Sequence, residues 1–184
     1  AISSAINGAL YIKSGLYILS STLSIPSNIR IFGDGGTTIL KAAANVPPTT
    51  NLLVNADTVN GNSNITFERF VIDGSYQTRS GTIAEEEGHN IMLKNAVDCS
   101  IERMLSINAA AAGICLAQGC HDNHLDKNLV TDSYNHNYLF VGATDGSKTV
   151  YENTITKNIS LRAGRGVIPG VGGVGFEFAK YCIH

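Results

Sequence analysis

The sequence contains no tryptophan and has few aromatic and few charged residues. Of its 184 residues, 7% are aromatic and 15% are charged, and the formal net charge is −2. Because there is no excess of lysine and arginine, the chain lacks the basic field that draws a protein to nucleic acid or to anionic lipid. No apolar stretch approaches the roughly 20 residues that a membrane-spanning helix needs. We therefore expect neither nucleic acid nor a membrane as a partner.

Cysteine is scarce and does not follow a common ligand pattern. The four cysteines are Cys99, Cys115, Cys120 and Cys182. No two of them form a CxxC pair, and a zinc set built from Cys115, Cys120 and the histidines nearby lacks the usual ligand spacing. We predict no metal site among them. A disulfide from Cys120 to Cys99 or to Cys115 remains an open alternative in an oxidising compartment, although the count does not indicate a disulfide-stapled scaffold.

What the sequence does contain is a repeat. Its three copies occupy residues 100–108, 124–132 and 154–162, and they are led by Ile101, Leu125 and Ile155. A cation follows each leading residue after two positions, and Asn128 and Asn158 come next in the last two copies. A second apolar element begins 13 residues after the leading residue, at Ile114 and at Tyr138. In the third copy we align the corresponding element, 175–178, eight residues late, because 166–174 is inserted before it.

This repeat predicts a parallel β-helix. A repeat of this length is typical of solenoids, in which stacked units share one core. The apolar elements are three to five residues long and are separated by Asn, Asp and Gly, which favours short strands over helices. Asn128 and Asn158 would then stack in successive coils and exchange amide hydrogen bonds. We predict an all-β, right-handed, single-stranded parallel β-helix.

The rest of the chain is interpreted as earlier, less regular coils of one domain. Residues 1–9 have Ile2 and Ile6 four apart and predict a short helix that caps the first coil. Three strands should follow, over 16–25, over 29–32 with an end at Gly33–Gly36, and over 38–40. The irregular coils would extend over 10–98, with a long acidic loop at 75–88, and the regular coils over 99–184. Since no capping element follows Phe178, we expect the chain to be the N-terminal part of a longer protein.

The opening coils resemble a known superfamily. The segments SGLYIL (14–19), LSIPSN (23–28), IRIFGDGG (29–36) and TILK (38–41) are similar to the first coils of the pectate-lyase-like right-handed β-helix proteins. That superfamily includes pectate lyases, polygalacturonases, mannuronan epimerases and phage tailspike depolymerases. The resemblance implies a polysaccharide as partner, an extracellular, secreted or virion-associated location, and a trimer if the chain is a tailspike.

The resemblance also implies that substrate lies along one strand face of the stack, formed by 91–93, 114–116, 138–141 and 176–178. Strand alternation then directs Ile114, Leu116, Tyr138, Phe140, Phe176 and Phe178 inward. It directs Cys115, Leu139 and Glu177 outward. Glu177, as the one carboxylate on that face, is our candidate acid or base.

The richest polar cluster in the sequence lies at 132–138, just before one of these strands. His136 is a candidate general base at the α-carbon of a uronate, with Tyr134 as acid and Arg162 or Arg165 neutralising the carboxylate. Further candidate substrate contacts are His89, Asn137 and, in the acidic loop, Glu86. His89 and His136 occupy equivalent positions two coils apart, roughly 10 Å.

Signatures of particular enzymes in the superfamily are missing. The sequence lacks the paired aspartates and Gly-His-Gly of polygalacturonases and the Tyr-Gly-Phe-Asp-Pro-His run of mannuronan epimerases. No cofactor is expected, although Asp122 and Asp126 could contribute to a Ca²⁺ site. Two functions remain: a lyase, epimerase or hydrolase acting on an acidic or bacterial surface polysaccharide, or a non-catalytic glycan-binding or structural β-helix of a phage tail or adhesin.

Overall fold

The structure, a computed structural model, describes residues 8–83, 87–165 and 173–177, the last three residues by their backbone alone. Within these residues the chain forms sixteen strands, and its helical content there is one 3-10 turn at Tyr76–Thr78. The strands are β1 Gly8–Ile12, β2 Gly15–Leu19, β3 Leu23–Ile25, β4 Ile29–Ala42, β5 Leu53–Asn55, β6 Ile65–Asp73, β7 Ile91–Lys94, β8 Ser100–Glu102, β9 Leu105–Ile107, β10 Ile114–Ala117, β11 His124–Asp126, β12 Leu129–Thr131, β13 Tyr138–Val141, β14 Thr154–Thr156, β15 Ile159–Leu161 and β16 Val174–Glu177.

All strand pairs are parallel, and they stack in three rows that define the faces of a β-helix. Face 1 contains β1, β8, β11 and β14 with the first halves of β4 and β6. Face 2 contains β2, β9, β12 and β15 with the second halves of β4 and β6. Face 3 is the six-stranded sheet in the order β16-β13-β10-β7-β5-β3. The predicted all-β, parallel architecture is therefore confirmed.

The predicted repeat is visible directly in the strand register. Ile101 pairs with Leu125, and Leu125 with Ile155, so the three leading residues stack in one column of face 1. Ile114 likewise pairs with Tyr138 on face 3. These columns point into one continuous core, in which Ile101, Leu125 and Ile114 are fully buried.

The asparagine ladder is confirmed at the bend between faces 1 and 2. The Asn128 amide donates to Asn158 Oδ1 at 2.9 Å and to the Ile101 carbonyl at 2.7 Å. Its own oxygen accepts from the Met104 backbone N–H at 2.9 Å. A second, unpredicted ladder joins Asn123 to Asn153 at 2.8 Å, at the bend that precedes face 1.

Four sequence predictions differ from the structure in detail. The strand predicted over 16–25 is two strands, β2 on face 2 and β3 on face 3. Gly8 and Ala9, the last residues of the predicted capping helix, begin strand β1, and residues 1–7 lie outside the described part. The strands predicted over 29–32 and 38–40 are one strand, β4, which passes through Gly33–Gly36 with register shifts instead of ending there. On face 3, Val174 pairs with Tyr138 and Phe176 with Phe140, so the third element is two residues earlier than aligned.

Candidate functional site

The richest polar surface identified from the sequence lies at the bend between faces 2 and 3. We call it the bend cluster, and it comprises Tyr76, Asp132, Tyr134, His136, Arg162 and Arg165. Backbone hydrogen bonds tie its loops together from coil to coil. The N–H of Tyr76 donates to the Asn108 carbonyl at 3.2 Å, that of Tyr134 to Ala109 at 2.8 Å, and that of Arg165 to Ser133 at 3.1 Å. The loops of successive coils are therefore hydrogen-bonded to one another and form one connected surface.

Asp132 and Arg162 form the charged centre of the bend cluster. They are the first residues after β12 and β15, where Thr131 pairs with Leu161, so the two side chains start from adjacent coils. Both have left-handed backbone, with φ of 59° and 49°. The guanidinium donates to both carboxylate oxygens, at 2.8 and 2.6 Å. This bidentate hydrogen bond lowers the pKa of Asp132 to about 2, against the opposing effect of partial desolvation.

An aromatic pair lies beside this ion pair. The rings of Tyr76 and Tyr134 meet edge to face, with centroids 5.5 Å apart and planes at 75°. Both side chains are partly exposed. Tyr76 was not singled out from the sequence, because it belongs to the long loop after β6 and only the fold brings it beside Tyr134. Partly exposed tyrosines present an apolar ring and a polar hydroxyl together, which suits the amphipathic surface of a sugar.

Arg165 and His136 complete the bend cluster. Arg165 is exposed, and the described part of the chain gives it no salt bridge, whereas the charge of Arg162 is matched by Asp132. His136 is partly exposed, and its carbonyl accepts from the Gly113 N–H at 3.2 Å. Tyr134, His136, Arg162 and Arg165 are therefore the predicted residues that the structure gathers in one region.

Two predicted substrate contacts lie in the interior. Asn137 is fully buried and donates to Ser160 Oγ at 2.9 Å and to the Leu161 carbonyl at 2.8 Å. His89 is 2% exposed, and its Nδ1 accepts from the Ala112 N–H at 3.0 Å. A buried side chain with such internal bonds is not available to a polysaccharide. Both residues connect neighbouring coils, and we do not assign them contacts with substrate.

The two predicted glutamates are separate from the bend cluster. Glu86 lies outside the described residues. The backbone of Glu177 pairs with Val141, at the far end of β13 from His136. The strand from Tyr138 to Val141 alone spans roughly 10 Å, and His136 precedes it by two residues. Glu177 and His136 therefore start from opposite ends of face 3.

The outer side of face 3 differs from the open groove that was predicted. Cys115 and Leu139 do point away from the main core, but they are 1% and 6% exposed. They form a second apolar cluster with Ala112 and Ala117, against which Met92 and Val141 pack. Over these coils the face is a covered apolar surface, which does not offer the polar groups that would bind a sugar chain.

No metal centre is present among the residues that the structure describes: no group of three or more His, Cys, Asp or Glu side chains converges there. Asp126 bonds to Lys127 at 2.7 Å and to Thr156 at 2.7 Å, while Asp122 lies 2.8 Å from His121. Cys99, Cys115 and Cys120 are buried, and neither of the two disulfides considered, from Cys120 to Cys99 or to Cys115, is formed. The described residues include no helix of the length and apolarity needed to cross a membrane.

Three comparisons place the chain among known proteins. The family model described as rhamnogalacturonase A/epimerase, pectate lyase-like, matches residues 1–170. A pre-neck appendage protein of Bacillus phage B103 is 32% identical over 115 residues, which are 60% of this chain and 13% of that protein. The chain thus matches only a small part of the length of this curated relative.

Solved structures share the fold at low sequence identity. The N-terminal fragment of bacteriophage phi29 gene product 12 gives a TM-score of 0.60 at 17% identity, over 84% of this chain and 27% of that one. The A-module of a mannuronan C-5 epimerase from Azotobacter vinelandii gives 0.53 at 15% identity, over 89% and 52%. Both comparisons support a β-helix.

Proposed function

The chain belongs to the rhamnogalacturonase A/epimerase, pectate lyase-like family, and from that premise we propose that it is a polysaccharide-directed β-helix protein of a phage virion. The similarity to a phage pre-neck appendage protein supports the virion location. We further propose that the bend cluster is where the polysaccharide binds, and that the polymer is acidic. The observation that carries this proposal is the Tyr76 and Tyr134 pair beside two arginines on adjoining loops.

Each part of the bend cluster has a distinct role in this proposal. The tyrosine pair packs against the C–H face of a sugar ring, and Arg165 supplies the charge for a uronate carboxylate. Arg162 is held by Asp132, so it positions the loop and offers only the donors that Asp132 leaves unused. If the protein is catalytic, His136 is our general base and Tyr134 the acid of a lyase or epimerase step at the α-carbon of the uronate.

A hydrolase would need two carboxyl groups roughly 5 to 10 Å apart across the scissile bond. Asp132 is the one carboxylate in the bend cluster, and Arg162 keeps it ionised. Glu177 starts from the other end of face 3. The geometry therefore favours a lyase or an epimerase over a hydrolase.

The test combines binding and turnover. The protein is incubated with uronate-containing and bacterial capsular polysaccharides, and binding, ultraviolet absorbance of unsaturated products, reducing ends and uronate epimer composition are followed. We expect Arg165→Gln to weaken binding about tenfold, the value of one charge-assisted hydrogen bond. The control Arg69→Gln, an exposed arginine at another bend, should bind normally. Absence of binding to every acidic polymer would overturn the proposal.

The turnover readouts separate the activities. Absorbance that rises with the native chain and is lost in His136→Ala identifies a lyase, and a changed epimer ratio without absorbance identifies an epimerase. Reducing ends without absorbance identify a hydrolase and contradict the roles given to His136 and Tyr134.

A second candidate function is a non-catalytic glycan-binding or structural module. It is favoured by the covered apolar surface on face 3, because the described coils offer no open polar groove there. Binding that is sensitive to Arg165→Gln, without any product, would identify this function.

A further inference from the structure

An open cavity at the start of face 1 is not used by the bend cluster. It has a volume of about 400 Å³, which is within the range of roughly 300 to 1,000 Å³ found for small-molecule sites. The strands β1, β4 and β6 lie side by side there, and Arg30 pairs with Thr66. The bend cluster lies at another corner of the coils, between faces 2 and 3. We call this separate site the face 1 cavity, and its lining consists of Gly8, Asn28, Ile29, Arg30, Asn64 and Thr66.

The wall of the face 1 cavity is formed mainly by neutral polar groups. Asn28 and Asn64 precede β4 and β6, and both are exposed with left-handed backbone, at φ of 60° and 56°. The Asn64 amide donates to Asn28 Oδ1 at 3.2 Å, which joins the two side chains across neighbouring coils. Thr66 is partly exposed. Because amides and hydroxyl groups both donate and accept hydrogen bonds, this wall suits a ligand that carries several hydroxyl groups.

Arg30 is the one charged residue among the described residues that line the face 1 cavity. Its guanidinium group is held from two sides. Its Cζ atom lies 4.6 Å from the centroid of the Phe32 ring, and its Nε donates to Glu68 Oε2 at 2.9 Å. Its Nη2 donates to the same oxygen, whereas Nη1 makes no hydrogen bond within the described part of the chain. A guanidinium group that is already ordered can bind an oxyanion at low entropic cost.

The ionic network around Arg30 does not cancel its charge. Glu68 has a side chain that is 8% exposed, and it also accepts from Arg103. Arg69 Nε lies 3.4 Å from Glu68 Oε1, so three guanidinium groups share this carboxylate. Glu102, 3.3 Å from Arg103, supplies the second negative charge of the network. Since Arg69 and Arg103 do not line the face 1 cavity, the charge presented to a ligand there is that of Arg30.

The nearby carboxylate at the same bend is Asp98, which is exposed one coil beyond Asn64 and is not part of the lining. We propose that the face 1 cavity binds an acidic sugar, with its carboxylate at Arg30 and its hydroxyl groups at Thr66 and the paired asparagines. The inference rests on the proposed function only for the class of ligand, a saccharide. The face 1 cavity and the bend cluster share no residue, so each site can be tested separately.

The test is an NMR titration of the native chain with three probes at constant ionic strength. Glucuronate carries the carboxylate and the hydroxyl groups, glucose carries the hydroxyl groups without the charge, and inorganic phosphate carries the charge without the sugar ring. We expect glucuronate to shift the backbone amide signals of Asn28, Asn64 and Thr66 and the Nε–H signal of Arg30 until they saturate. Glucose and phosphate should each bind about tenfold more weakly, because each lacks one set of contacts.

Two variants test the assigned contacts. Arg30→Gln should weaken glucuronate binding about tenfold, the value of one charge-assisted hydrogen bond. Thr66→Val, which keeps the shape of the side chain, should weaken it about threefold, the value of one neutral hydrogen bond. Lys127→Gln is the matched control, because Lys127 is a half-exposed cation paired with a largely buried carboxylate, as Arg30 is, and lies outside the cavity. It should leave glucuronate binding unchanged, and circular dichroism establishes that each variant is folded.

Several results would overturn the inference. One is glucuronate that leaves the signals of the face 1 cavity unmoved; shifts confined to the bend cluster would overturn this site and support the proposed function. Equal binding of glucose would contradict the carboxylate contact, and equal binding of phosphate would contradict the hydroxyl contacts. An equal loss in Lys127→Gln and Arg30→Gln would mean that only net charge matters. If Arg30→Gln does not fold, unchanged binding in Thr66→Val overturns the inference.

Discussion

Replacement of Asn128 by alanine should be among the most destabilising single changes in this chain. The side chain is 1% exposed and makes three hydrogen bonds, with Met104 N–H, the Ile101 carbonyl and Asn158 Oδ1. Alanine removes all three hydrogen bonds. At least two of the partner groups then remain unsatisfied inside the coil stack, where water cannot bond to them. An unsatisfied buried group costs about 1 to 3 kcal/mol. The expected loss is therefore about 3 kcal/mol or more, against a total stability of roughly 5 to 15 kcal/mol.

The assay is urea unfolding followed by circular dichroism, with the midpoint compared at constant slope. Asn60→Ala is the control, because Asn60 is exposed and its amide bonds only to Asp57, three residues away. That change should stay within about 0.5 kcal/mol of the native chain. A loss below about 1 kcal/mol in Asn128→Ala would refute the reasoning, since it would mean that the ladder contributes little beyond filling space.

Three further predictions concern packing, ionisation and thiol reactivity. A Cβ added at Gly113 would lie 2.1 Å from a Val130 methyl group, so Gly113→Ala should lower the urea midpoint by an amount equivalent to about 1 to 3 kcal/mol. The lowered pKa of Asp132 stabilises the folded chain at pH values above the unfolded pKa, and this stabilisation is lost as the pH falls toward 2. Arg162→Leu removes its cause, so the pKa of Asp132 should rise in an NMR titration. The loss of folding stability between about pH 4 and 2 should then be smaller than in the native chain. Burial raises the pKa of Cys99 to about 11 and of Cys120 to about 12, so iodoacetamide at pH 8 should label neither in the folded chain, as mass spectrometry can establish.

The fold could be predicted from the sequence because the repeat constrains the stacking of the coils at many positions. Ile101, Leu125 and Ile155 must share one face if the coils stack, and that single requirement sets the strand register. The same requirement places Asn128 over Asn158. The repeat did not predict local exceptions. The glycines at 33–36 indicate a break in the strand, but β4 continues through them with irregular pairing to β6.

The candidate site was harder to predict, because the alternation of inward and outward side chains can be applied only to residues within strands. Asn137 and His89 precede strands of face 3, and nothing in their sequence context distinguishes an inward from an outward side chain. Their burial follows from how the loops fold over the previous coil. The covering of Cys115 and Leu139 is equally non-local, since strand alternation correctly directs them outward but does not reveal what packs on them.

The bends explain why charge in this sequence recurs beside asparagine. At the bend between faces 1 and 2, the first residue has left-handed backbone, which costs a non-glycine residue roughly 1 kcal/mol or more. Lys127 occupies this position and is exposed, while the next residue, Asn128, is buried, and its side chain satisfies two backbone groups of the coil before, the Met104 N–H and the Ile101 carbonyl. The asparagine bonds offset the strain that the turn imposes. The cation points to solvent, where the Lys127 ammonium donates to the Asp126 carboxylate at 2.7 Å. The stability of the coil and the charge at its surface are thus assigned to adjacent residues, so Lys127→Ala should cost little stability whereas Asn128→Ala should cost much.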